Sequence, residues 1–144
     1  MENRIEKAVK LFESGYNCSQ SVFTAYADFY GIDKELALKL SSSFGKGIGE
    51  MHEVCGAVCA MSMIVGLEIG ITIAKDSEKR KANYKMVQKL ADDFRKENGS
   101  IVCRQLMRPE QEIPSGKKKK PCIEYVRYCA ELIEKNIISQ NSQD

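Results

Sequence analysis

The chain contains six cysteines and one histidine, and these side chains are the ones that could carry chemistry. Four cysteines each follow closely a residue that is typical of a helix start. They are Cys18 after Asn17, Cys55 after Glu53, Cys103 after Ser100 and Cys122 after Pro121. Free N–H groups and the positive end of the helix dipole both lower the pKa of a thiol. Because the thiolate attacks disulfides and binds metals, this pattern predicts a thiol site that the fold assembles from separate helices.

The spacing of the cysteines along the chain excludes several compact motifs. There is no Cys-x-x-Cys pair, so neither a thioredoxin-type dithiol nor a zinc ribbon is predicted. Cys55 and Cys59 are one helical turn apart, and this spacing suits shared metal ligation better than a disulfide. Cys59 is therefore a candidate supporting ligand, or else a small core residue. Cys129 falls inside a predicted helix and is interpreted as a core residue.

Cys55 is flanked by one histidine and by several glycines. His52 precedes it by three residues and is a candidate base, ligand or hydrogen-bond partner, unless it is simply solvated. Gly47, Gly49 and Gly56 are interpreted as positions where backbone N–H groups approach the Cys55 sulfur. The glycine loop, Gly45–Gly49, could also hold an anion, but no strand precedes it, so it does not match a nucleotide-binding fingerprint. These neighbours predict that Cys55 is the most reactive thiol.

The elements that must position these residues are helices, because apolar residues recur at helical spacing throughout the chain. The sequence predicts one all-α domain over residues 1–144, a bundle of about six or seven helices with a buried central helix. The predicted caps of the second, third, fifth and sixth helices are Asn17, Asp33, Asp76 and Ser100. In the third predicted helix, Leu36 and Leu40 are expected to face inward. Residues 108–120 contain two prolines and four consecutive lysines and are predicted to form a mobile loop.

Composition restricts the class of protein. The chain has 144 residues, 22 basic and 20 acidic, so it lacks the strongly basic balance of a nucleic-acid-binding protein. The apolar run at 54–74 contains Glu68 and is interpreted as a buried helix rather than a membrane span. No secretory signal pattern opens the sequence. We therefore expect a cytoplasmic chain with reduced thiols and no contact with membranes or nucleic acids.

Five segments of the sequence resemble the C_GCAxxG_C_C family, whose members are described as redox-active. They are Gly15–Gln20, Phe44–Gly49, Glu53–Ala57, Gly99–Leu106 and Cys122–Val126. The resemblance implies that Cys18, Cys55, Cys103 and Cys122 are the defining cysteines. It also implies an accessory role beside oxidoreductase or transport systems. The chain departs from the family motif at Ala60, where the motif has its final glycine, and at Cys59, which is an added thiol.

The sequence is compatible with three interpretations of the site. The four cysteines could cycle between dithiol and disulfide with a protein redox partner. They could instead bind a divalent metal or an iron–sulfur cluster, although the wide separation of the four cysteines along the chain disfavours a cluster of the ferredoxin type. In the third interpretation the cysteines are structural, and the chain is a non-catalytic helical interaction module. Whether the chain is an enzyme is left open, and a homodimer is a candidate oligomeric state.

Overall fold

Seven α-helices of at least four residues run through residues 3–107 and 120–141, which are the residues that the computed structural model describes. They are α1 (Arg4–Glu13), α2 (Cys18–Ala27), α3 (Lys34–Ser41), α4 (Gly56–Ile69), α5 (Ser77–Asn98), α6 (Cys103–Leu106) and α7 (Cys122–Ile133). A π-helical turn at Glu134–Ile138 and a short turn at Ser139–Asn141 extend α7. The described residues contain no strand, only one isolated β-bridge between Val54 and Val102. The prediction of an all-α fold is confirmed.

The helices begin mostly where the predicted caps are. Asn17, Asp33 and Asp76 each accept a hydrogen bond from the backbone of the first turn that follows. The prediction of Ser100 as a helix cap is wrong, because Val102 holds that position before α6. Ser100 Oγ instead accepts a hydrogen bond from Val102 N at 2.9 Å and so shapes the turn that leads into α6.

Helices α2 and α4 form the centre of the domain and pack directly against each other. The apolar side chains of α4 fill the core, among them Met61, Ile64 and Val65, so the predicted buried central helix is confirmed. Helix α2 is buried on nearly every side, including its Ser19 and Ser21. Helices α1, α3 and α7 pack around α2. Within the described ranges, no helix combines the length and the apolar character that crossing a bilayer requires.

The buried face of α3 differs from the prediction. Leu36 and Leu40 are each 47% exposed, and the helix buries Ala37 and Ser41 instead. Small side chains at this contact let α3 lie close to α2, and that approach turns the two leucines outward. The loop predicted at 108–120 lies outside the described residues except for Lys120.

Candidate functional site

The four predicted cysteines all lie at helix starts. Cys18, Cys103 and Cys122 are the first residues of α2, α6 and α7, and Cys55 immediately precedes α4. No disulfide joins any of the six cysteines, all of which fall within the described residues. The helix-start prediction is therefore confirmed at each of these four positions.

One cavity of about 370 Å³ brings these four cysteines together, and its lining is mostly apolar. Cys55 and Cys103 are buried, Cys18 is half-buried and Cys122 is exposed. His52, Gly56, Lys46 and Lys120 also line the cavity. Four segments that are far apart in the sequence thus contribute one thiol each to a single cavity.

The capping box of α2 fixes the position of Cys18. Asn17 Oδ1 accepts a hydrogen bond from Gln20 N at 2.9 Å, and Gln20 Oε1 accepts one from Asn17 N at 3.1 Å. Asn17 Nδ2 also donates to Ser42 O at 3.0 Å, which ties the start of α2 to the turn after α3. The residue before Cys18 is thereby held at both its backbone and its side chain.

Two glycines let the backbone approach Cys18 and Cys103 closely. A Cβ on Gly56 would lie 2.6 Å from Cys18 Sγ and 2.6 Å from Phe44 O. A Cβ on Gly47 would lie 2.8 Å from Cys103 Cβ. Gly49 has only Ser43 O within 4 Å of such a Cβ, at 3.8 Å. Gly56 and Gly47 thus make room beside Cys18 and Cys103, and the approach of their backbone N–H groups to the Cys55 sulfur stays a prediction.

His52 lies beside Cys103 rather than beside Cys55. Its Nδ1 is 3.5 Å from Cys103 Sγ. The β-bridge next to it accounts for this pairing, because Cys103 N donates to Glu53 O at 2.6 Å and Arg104 N donates to His52 O at 3.0 Å. These backbone hydrogen bonds bring the start of α6 against the segment before Cys55. Sequence proximity between His52 and Cys55 could not reveal this contact, because it joins residues 51 positions apart.

The glycine loop adopts a left-handed course over five consecutive residues, 46–50. Gly47 and Gly49 tolerate a positive φ, but Ile48 has a φ of 65° and is β-branched, a combination that costs energy. Hydrogen bonds offset this strain, with Gly49 N donating to Ser43 O and Glu53 N donating to Gly47 O. His52 also has a positive φ, of 59°. Strain of this kind persists only where the surrounding structure holds the backbone in place. The strained segment continues directly to His52, which lines the cavity.

Burial is the largest influence on the pKa values of the two buried cavity thiols, Cys55 and Cys103. It raises the pKa of Cys55, and the neighbouring Cys18 raises it further. Hydrogen bonds from the backbone of Val58 and Ala57, at the start of α4, lower that pKa but do not offset the loss of hydration. Burial likewise raises the pKa of Cys103. The pKa of these two helix-start thiols is therefore raised, and the predicted lowering is wrong for them.

The two other cysteines lie behind the cavity. Cys59 is half-buried and its Sγ is 3.7 Å from Val54 O, and burial raises its pKa to about 11. Cys129 is fully buried, and burial raises its pKa as well. Neither lines the cavity. Cys129 occupies the core as predicted.

Sequence reasoning missed several residues of the cavity wall. Met107 is four residues after Cys103, and its Sδ lies 3.6 Å from Cys103 Sγ. The i, i+4 spacing on a helix was the signal that could have identified it. Tyr125 and Phe12 also line the wall, and the pattern of the sequence gave no separate signal for them.

Comparisons with known proteins agree with this arrangement. A family model described as "Putative redox-active protein (C_GCAxxG_C_C)" matches residues 16–136, a range that contains all four cysteines of the cavity. No curated protein and no solved structure matches the chain. The matched range spans most of the 144 residues. The chain belongs to the C_GCAxxG_C_C family.

Proposed function

We propose that this chain is a redox protein in which Cys18, Cys55, Cys103 and Cys122 together hold an iron–sulfur cluster. The observation that carries the proposal is that these four cysteines, from four separate helix starts, line one cavity. Four thiolates are the ligand set that [2Fe–2S] and [4Fe–4S] clusters use. In this role the chain would pass electrons to or from a protein redox partner.

The size of the cavity supports a group larger than one ion. A single tetrahedral ion draws its sulfur ligands to about 3.8 Å from one another, given metal–sulfur bonds of about 2.3 Å. Within residues 3–107 and 120–141, no three His, Cys, Asp or Glu side chains are grouped closely enough to hold one metal ion. A cluster places its cysteines further apart, because they bind different irons. Four thiols around a space of about 370 Å³ suit that arrangement.

The helix starts offer partial compensation for placing a negatively charged group in this apolar cavity. Helices α2, α4 and α7 direct the positive ends of their dipoles toward their first residues, which lie at the cavity wall. Backbone N–H groups at helix starts have no partner within the helix, so they are suited to donate to cysteine sulfurs. Such hydrogen bonds tune the reduction potential of a cluster. Burial raises the pKa of Cys55, so a metal that binds this thiol must displace a proton, and this step opposes binding.

A second candidate function is thiol–disulfide exchange, which is favoured by the exposure of Cys122. The Cys122 thiolate would attack a disulfide on a partner protein, forming a mixed disulfide and releasing one partner thiolate, which takes up a proton. Cys103 would then attack the Cys122 sulfur and release the second partner thiol. Two electrons would pass to the partner, and a Cys103–Cys122 disulfide would remain. His52, at 3.5 Å from Cys103 Sγ, is placed to accept the proton of the Cys103 thiol.

One experiment separates these functions. The chain is purified anaerobically and reconstituted with iron and sulfide, and its iron, sulfide and visible absorption are measured. We expect a cluster in the parent chain and its loss in Cys18→Ser and Cys122→Ser. Cys59→Ala is the matched control and should retain the cluster, because Cys59 does not line the cavity.

A parent chain without iron and sulfide would overturn the cluster proposal. In that case, alkylation of the chain after equilibration in glutathione buffers of known potential tests the second function. A reversible Cys103–Cys122 disulfide would support thiol exchange. Thiols that stay reduced at every potential would leave the interaction module as the remaining interpretation.

A further inference from the structure

Three side chains at one edge of the cavity present a mixed set of sulfur and nitrogen atoms. Cys103 Sγ lies 3.5 Å from His52 Nδ1 and 3.6 Å from Met107 Sδ. All three residues line the cavity. The Cys103 thiol thus has an imidazole nitrogen and a thioether sulfur within 4 Å.

The backbone holds this arrangement from two sides. Cys103 and Met107 lie one helical turn apart, and Met107 N donates to Cys103 O at 3.0 Å. The bond from Arg104 N to His52 O, at 3.0 Å, attaches the histidine segment to the same turn. Both attachments are backbone hydrogen bonds, so they fix the backbone positions from which the three side chains extend.

We propose that Cys103, His52 and Met107 form a binding site for Cu(I). A shared tetrahedral ion with bonds of about 2.3 Å to sulfur and about 2.0 Å to nitrogen holds sulfur and nitrogen about 3.5 Å apart, and two sulfurs about 3.8 Å apart. The observed distances of 3.5 and 3.6 Å are close to these values. The nitrogen and the thioether sulfur therefore each lie at about the distance from Cys103 Sγ that a shared ion requires.

The chemistry of the donors selects the metal. Thioether and thiolate sulfur are soft ligands that favour Cu(I), whereas zinc sites use thiolate, imidazole and carboxylate. Charge favours the same ion. When Cu(I) displaces the proton of the Cys103 thiol, one positive ion and one thiolate give a neutral site. A divalent ion would leave a net charge in a cavity with a mostly apolar lining.

The site is accessible to an incoming ion. Met107 is 48% exposed and His52 is half-buried, so the edge formed by these two side chains faces the outside of the domain. The inference goes beyond the proposed function, because a thioether has no part in a four-cysteine cluster. Cys103 would belong to both sites, so copper and a cluster would exclude each other.

The test measures Cu(I) affinity of the metal-free, reduced full chain under anaerobic conditions, by competition with bicinchoninate. Met107→Leu removes the thioether and nearly conserves the volume. We expect this variant to bind Cu(I) at least about tenfold more weakly, which corresponds to about 1.4 kcal/mol. Met51→Leu is the matched control, since Met51 is 57% exposed and precedes His52. Its Cu(I) affinity should equal that of the parent chain.

Zinc provides the second comparison. Because a thioether is not a zinc ligand, Met107→Leu should leave the Zn²⁺ affinity unchanged. Equal Cu(I) affinities of Met107→Leu and the parent chain would overturn the proposal, as would a parallel loss of Zn²⁺ affinity, which would indicate a general disturbance of the site.

The copper proposal and the cluster proposal can fail separately. Iron and sulfide content after reconstitution reports on the cluster alone, and Met107→Leu retains all four cysteines. A variant that assembles the cluster and loses copper affinity supports both proposals. Copper binding that depends on Met107, in a chain that assembles no cluster, would support the copper site and reject the cluster.

Discussion

The sulfur of Cys18 packs directly against the α-carbon of Gly56, where a Cβ would come within 2.6 Å of it. This contact joins the start of α2 to the start of α4, and both residues line the cavity. Only a residue without a side chain fits here while the two helix starts remain at this distance. Gly56 therefore contributes to the position of Cys18 relative to Cys55.

Substitution of this glycine should move a cysteine. Gly56→Ala would bring a methyl group against both Cys18 Sγ and the backbone oxygen of Phe44, each at 2.6 Å. We expect a loss of about 1–3 kcal/mol in the free energy of unfolding, together with faster alkylation of Cys18. Urea denaturation and mass spectrometry of alkylated peptides measure these two effects.

Gly66→Ala is the control on the same helix, because a Cβ at Gly66 meets nothing within 4 Å. It should stabilise the chain by up to about 1 kcal/mol through helix propensity. Equal effects of the two substitutions would show that the contact between Gly56 and Cys18 has no energetic importance.

The cap of α2 should affect the site as well as the stability. Asn17→Ala removes the capping box and the hydrogen bond to Ser42 O, and we expect a loss of about 1–2 kcal/mol. Asp33→Ala removes the corresponding cap of α3, which does not line the cavity, and should cost about 1 kcal/mol. Only Asn17→Ala should change the alkylation rate of Cys18. A similar change of that rate in Asp33→Ala would contradict the proposed local effect.

Stability should fall at alkaline pH because of the buried thiols. Burial raises the pKa of Cys129 in the folded chain, whereas an unfolded thiol loses its proton above about pH 8.5. The folded state then binds more protons than the unfolded state, so the free energy of unfolding decreases as the pH rises. Each such thiol contributes a slope of at most about 1.4 kcal/mol per pH unit. For Cys59, whose pKa is raised to about 11, the loss should be complete above about that pH.

Cys129→Ala isolates one of these contributions. The variant is less stable than the parent chain at pH 7, because it leaves a small cavity in the core. The difference should shrink between pH 9 and pH 11, since the variant no longer carries the thiol whose ionisation favours unfolding. Urea denaturation at several pH values measures it, and a difference that stays constant with pH would contradict the expected burial of the protonated thiol.

Glu68 ties the end of the chain to the turn after α2. Its carboxylate accepts hydrogen bonds from Tyr30 Oη and Asn141 Nδ2, each at 2.8 Å. Tyr30→Phe should lower the free energy of unfolding by about 1–2 kcal/mol, because it removes a hydrogen bond to a charged group. In a Glu68→Gln background the same substitution should cost less. Denaturation of the double-mutant cycle checks this, and purely additive effects would show that the two side chains do not interact energetically.

Local signals in the sequence determined the helical fold and most of the helix starts. Asn17, Asp33 and Asp76 cap the helices that they were predicted to cap, because a cap is a hydrogen bond within one turn of the chain. For the same reason the sequence could place Cys18 and Cys122 at helix starts. The sequence also indicated a buried α4 through its continuous apolar run.

Only the tertiary structure decided which groups meet. His52 lies against Cys103 instead of Cys55 because a β-bridge joins segments about 50 residues apart, and no local pattern encodes such a pairing. The acidity of the thiols was likewise set by the fold. A helix start lowers the pKa of a thiol, but the depth at which the packed helices bury Cys55 outweighs that effect. Burial and long-range contact depend on how all the helices pack together, whereas capping and helical periodicity depend only on near neighbours in the chain.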